Sequence, residues 1–158
     1  ENTIYFITME KITHTSTASV MHLSCLSQYF IPFGNFIFPI IIWATSKDKS
    51  EFVDEQGKEV INFQLSLFIY SLILVLISIP ISLYMIFNSS NWSYFENGKF
   101  LIDDFNFGKL SGGIIIAAIA ILFFIIIKMA EFFLIIYAAV QASKGNHFKY
   151  PFTIRFLK

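Results

Sequence analysis

Leu110–Ile127 is an 18-residue run, LSGGIIIAAIAILFFIII, with no charged side chain. Two further apolar stretches precede it, Val20–Trp43 and Asn62–Phe87. About 20 apolar residues of helix cross the ~30 Å hydrocarbon core of a bilayer. The run therefore makes lipid, not water, the solvent against which most of this chain must be read. Composition agrees: 56% of the 158 residues are hydrophobic, 20 are Phe, and only 14% are charged. One soluble core could not hide that much apolar surface, because most of an ordinary protein's exterior stays wet.

The expected fold is an all-α integral membrane protein with three transmembrane helices, at about residues 20–43, 60–87 and 110–141. A loop at 88–109 and a tail at 142–158 complete a single membrane domain, 20–158. Residues 1–19 form a separate N-terminal segment, and Met9-Glu10-Lys11 reads as a candidate start.

The first stretch is unusually built for a helix, since Pro32, Gly34, Asn35 and Pro39 fall inside it. Proline removes a backbone donor, and glycine eases non-helical backbone. In lipid such a break is tolerated only where protein or water covers it. A kinked span is the reading favoured here; a re-entrant pair of short helices meeting near Phe33–Asn35 is the other.

The second and third helices, counted from Phe52 and Lys109, exceed the bilayer at ~1.5 Å per residue. They are expected to project together into the cytoplasm, covered by the tail, where Tyr150-Pro151 marks a turn into a short extended segment. Trp92, Tyr94, Phe95, Phe100, Phe105 and Phe107 suit an interfacial belt on the opposite side. For three spans, Lys47, Lys49, Lys58, Lys144, Lys149, Arg155 and Lys158 face Lys11, Lys99 and Lys109 across the membrane. That bias places the hinge and C-terminus inside, in the cytoplasm.

Lys128 and Glu131 are the sharpest local signal, an ionisable pair at i,i+3 in an apolar helix. Intramembrane charges default to a functional hypothesis, here an ion or proton relay or a docking charge. Their register, ~27 Å below Leu110, instead favours a mutually neutralising pair at the inner interface. On the second helix Ser66, Tyr70 and Asn62 fall near the same level and are candidate packing partners.

The acidic run Asp48, Glu51, Asp54, Glu55 and Glu59 lacks the spacing of a calcium loop, and lysines interleave it. His14, His22 and His147 are isolated, so no metal site or cofactor is expected. Cys25 is the single cysteine and cannot form an internal disulfide. Zero net charge gives no footprint for nucleic acid. Neither a nucleophile elbow nor a phosphate loop is present, so no enzyme is expected.

Three blocks carry a resemblance: Phe33-Gly34-Asn35; Asp54–Glu59 with Asn62-Phe63-Gln64; and Tyr150-Pro151. From about His22 to Lys158 the chain resembles a family of small bacterial membrane proteins of unknown function. That family is distantly similar to the Tic-type component of the chloroplast inner-envelope import machinery. The resemblance implies a helical membrane domain and transfers no catalytic residue.

The expected function is a small non-enzymatic scaffold or accessory subunit. It would contact membrane lipids and other membrane-protein subunits through a cytoplasmic surface of Phe52, Phe63, Tyr150, Lys149 and Arg155. The alternative is an oligomeric channel or transport component, linked to protein translocation.

Overall fold

The structure, a computed structural model, describes residues 2–88 and 112–158. Among these residues every regular element is helical, with no strand, and the tail after Ser143 is irregular. The aromatic residues expected at the interface within 89–111 lie outside the described residues.

Helix α1 spans Asn2–Ser24. Thr8, Thr13 and Thr17 return their hydroxyls to carbonyls four residues back, which satisfies them along an exposed helix surface. Its last turn tightens into a 3₁₀ segment, Cys25–Tyr29. Ser27 then accepts from both Phe30 and Ile31 through its carbonyl. Pro32 disfavours helical backbone at Ile31, and Phe33 takes a left-handed φ of 61°. Gly34 follows at once, because a Cβ there would lie 2.9 Å from the carbonyl carbon and oxygen of Ser27. The chain so reverses into α2, Gly34–Ser46, with Pro39 inside it.

This corrects the expected first span. At 13 residues α2 is ~20 Å long, short of a ~30 Å core, and the stretch 20–43 is no continuous helix. A helical hairpin that breaks at Phe30–Phe33 replaces it.

A short 3₁₀ turn, Lys47–Lys49, leads into α3, Glu51–Asn88. Glu51 and Asp54 favour its positive N-terminal end. Helix α4 spans Gly112–Ser143. Among the described residues, α3 and α4 alone are long and apolar enough to cross a membrane, with mean hydropathy 2.4 and 2.8 over their best windows. Only 11% and 6% of those windows are buried, so these are not core helices of a soluble protein.

The chain divides into two compact units, 1–68 with 128–158, and 69–127. In the second unit Leu72, Ile73, Leu76, Ile121, Leu122 and Ile125 are exposed. Small residues of α3 and α4 (Ser78, Ser82, Ala117 and Ala120) line a cavity of about 400 Å³ there.

The first unit holds the core. Its helices bury stripes at helical spacing: Ala18, Met21 and His22 on α1, continued by Cys25 of the 3₁₀ segment; Val53, Gln56, Gly57, Val60 and Gln64 on α3; Glu131, Ile135, Ala138 and Ala142 on α4. At Gly57 three helices meet, since a Cβ there would collide with the Trp43 ring of α2 and crowd the Met21 sulfur of α1.

Candidate functional site

Helix α4 ends in a Schellman turn. Gly145, at φ 78°, donates to Ala142 and Asn146 donates to Gln141. This turn sends the tail back along the first unit. There Tyr150 lies flat on Phe63, with centroids 3.9 Å apart, while Phe148 meets both Tyr150 and Tyr137 edge-on. Phe63 and Tyr150 are therefore core residues, at 3% and 5% exposure. They were expected on a cytoplasmic surface; the tail folds over Phe63 and buries both rings. Phe52 is half-buried against His147, and only Lys149 and Arg155 of that expected set are exposed.

Behind Tyr150 sits His22, fully buried. Gln56 donates through Nε2 to the Phe148 carbonyl at 3.4 Å, so its Oε1 faces His22 Nε2 at 3.1 Å. The ring then carries its proton on Nε2 and accepts the Tyr150 hydroxyl at Nδ1, 2.8 Å away. Burial pushes the His22 pKa down to about 4, opposed by the Gln56 bond, so the ring is neutral near pH 7. Burial likewise holds the Tyr150 hydroxyl well above its ordinary range, and raises the Cys25 thiol, which makes it an inert core side chain. No sequence spacing marks His22 and Gln56 as partners, because they lie 34 residues apart on different helices.

Asn62 and Ser66, one turn apart on α3, hold the tail's backbone. Asn62 Oδ1 accepts from Phe156 at 3.0 Å and Leu157 at 2.8 Å, and its Nδ2 donates to the Leu157 carbonyl at 2.9 Å. Ser66 Oγ accepts from Ile154 at 2.8 Å and donates to the Asn62 carbonyl at 2.7 Å. These side chains were expected to pack against Lys128 and Glu131; they point at the tail instead. Tyr70 belongs to the other unit.

The Lys128–Glu131 pair does form, at 2.8 Å. Its further partner is Gln28 of the 3₁₀ segment, which donates to Glu131 Oε1 at 2.8 Å and accepts from Lys128 Nζ at 2.9 Å. Glu131 is buried to 1% with both carboxylate oxygens bonded. Elsewhere Asn35 donates to buried Gln64 at 2.7 Å, while Trp43 donates to Asp54 at 2.8 Å beside the Lys58–Asp54 ion pair. Of the break residues, then, Gly34 and Asn35 make close contacts, Pro39 is buried in α2, and Pro32 is exposed in the turn.

Among the described residues no group of three or more His, Cys, Asp or Glu is placed to hold a metal ion. The acidic run is dispersed into separate pairs, Glu55 with His147 and Glu59 with Arg155.

The arrangement defines a class: a helical membrane protein whose polar half is held together by side-chain hydrogen bonds. Residues 13–157 match the MamF/MmsF magnetosome magnetite crystal formation protein family, and the chain belongs to that family. This overturns the resemblance to a Tic-type import component, since the match is to a family of magnetite crystal formation. The motif blocks that carried the resemblance are contacts of the fold: Gly34 on Ser27, Gln56 on His22, Asn62 on the tail, Tyr150 on Phe63. No curated protein and no solved structure matches the chain.

Proposed function

We propose that this protein is a non-enzymatic accessory subunit of the membrane in which magnetite crystals form, and that its first unit is a preformed docking module for other membrane proteins. The observation that carries this reading is where the buried polar groups go. His22, Gln28, Gln56, Asn62, Ser66 and Glu131 all direct hydrogen bonds to other segments of the first unit. Side chains so engaged serve to hold a shape, and catalysis would need some of them converging on an open cleft. The exposed charges Lys47, Asp48, Lys49, Glu51, Glu55 and Lys144 are then what a partner reads.

With two spans rather than three, residues 1–50 lie on the same side as the tail. Lys11, Lys47, Lys49, Lys58, Lys144, Lys149, Arg155 and Lys158 then oppose only Lys99 and Lys109, which supports a cytoplasmic first unit. A channel reading would use Lys128 and Glu131 as a polar path; the engagement of both Glu131 oxygens by Lys128 and Gln28 argues for a structural pair instead.

The test is affinity purification of the full chain from magnetite-forming cells in mild detergent, with mass measurement of the complex. A heteromer that dissociates on charge reversal at Lys47 and Lys49, together with altered crystals in the same strain, supports the accessory role. A homo-oligomer unaffected by those reversals overturns it and puts the channel ahead.

A further inference from the structure

The tail's outward edge has a chemistry of its own. Phe152 is 89% exposed, Ile154 42% and Phe156 46%, on the irregular segment that Pro151 opens. Phe152 holds a left-handed φ of 57°, a conformation an aromatic side chain seldom adopts, in the turn after Pro151. The tail from Lys144 onward carries Lys144, Lys149, Arg155 and Lys158 and no acidic residue. Arg155 is 58% exposed and only loosely paired with Glu59, at 3.7 Å.

The place where this edge is fixed gives it a partner. Ile154 is bonded to Ser66, and Phe156 and Leu157 to Asn62. Glu59 is the last charged residue of α3, and from Val60 to Asn88 the helix is uncharged. The edge is thus pinned to the first turns of the apolar part of α3, at the level where that helix leaves water. Aromatic and aliphatic side chains interleaved with Lys and Arg at that level suit the headgroup boundary of an anionic leaflet.

We propose that Phe152, Ile154 and Phe156 insert into the leaflet on the tail's own side of the membrane, with Lys149, Arg155 and Lys158 on anionic lipid phosphates. The tail then works as an interfacial anchor that sets how deep the first unit rides against the bilayer. Docking to Asn62 and Ser66 supplies the backbone hydrogen bonds that an irregular segment would otherwise lack in a partly dehydrated setting.

Spin labels at Phe152→Cys, Phe156→Cys and, as a water-exposed control, Asp48→Cys test this in the full chain reconstituted into nanodiscs. Cys25 stays in place, because full burial keeps it from labelling. In discs of zwitterionic lipid mixed with phosphatidylglycerol, positions 152 and 156 should collide with dissolved oxygen freely, and with a nickel chelate several-fold less than position 48. Neutralising Lys149, Arg155 and Lys158 to Gln should restore much of the nickel access. Nickel access at 152 and 156 equal to that at 48 overturns the proposal, as does protection that ignores the three neutralisations. Protection that appears in native membranes and not in these lipid-only discs assigns the edge to a protein, which also overturns it.

Discussion

Tyr150 is held from two sides at once: its ring lies on Phe63 within 7° of parallel, and its hydroxyl reaches buried His22 at 2.8 Å. This side chain fixes the first part of the tail, ahead of the Asn62 and Ser66 bonds further along. Removing only the hydroxyl in Tyr150→Phe leaves the stack and strips His22 Nδ1 of its donor, at a cost of about 1–3 kcal/mol. Tyr150→Ala also opens a cavity over Phe63 and should cost roughly 3–5 kcal/mol. Thermal unfolding in detergent should rank the two in that order.

Asn62 makes three bonds to the tail and can be probed in graded fashion. Asn62→Asp keeps an acceptor for the Phe156 and Leu157 amides and loses the donor to the Leu157 carbonyl; Asn62→Leu loses all three. Hydrogen exchange at Phe156 and Leu157 should rise modestly in the first variant and approach that of a free tail in the second. Equal protection in all three proteins would sink the assignment.

Lys128 and Glu131 separate by a double-mutant cycle. Lys128→Met leaves a buried carboxylate with Gln28 as its remaining donor from this cluster, and breaking a buried pair costs roughly 3–5 kcal/mol. Adding Glu131→Gln should recover much of that loss by removing the charge. A double variant less stable than either single one would refute the pairing.

The pH dependence follows from His22, which lies outside both candidate spans. Its pKa in the folded protein, about 4, is below the ordinary 6.5, so folding favours the neutral ring. The stability tied to that neutrality is fully present above pH 6.5 and is lost as pH falls from there towards 4. The loss is on the order of 3 kcal/mol. His22→Gln cannot titrate and should flatten this part of the melting-temperature profile, even if it starts lower. An unchanged slope between pH 6.5 and 4 would show that another group controls it.

Much of the helical framework is legible in the residues. Hydropathy and length give α3 and α4 their extent, since a run of uncharged residues from Val60 to Asn88 has one stable form in lipid. The break in the first stretch is legible too, because Pro32 and Gly34 carry local backbone constraints. Which of its two consequences follows, a kinked span or a pair of short helices, was not. Whether a broken segment still spans depends on which helices it packs against, and Gly34 on Ser27 and Gly57 under Trp43 turn it into a hairpin.

The site divides along the same line. The sequence by itself determined that Lys128 and Glu131 would meet, because residues three apart on a helix share a face. Tertiary structure alone decided their further partner, Gln28, whose bond to Glu131 spans 103 residues of sequence. It alone decided that Asn62 and Ser66 face the tail, and that where the tail meets α3 it is Phe63 and Tyr150 that stack and leave the surface. Spacing along a helix says which side chains lie together. The rotation of one helix against the next, which says what they face, comes from packing between segments far apart in the chain.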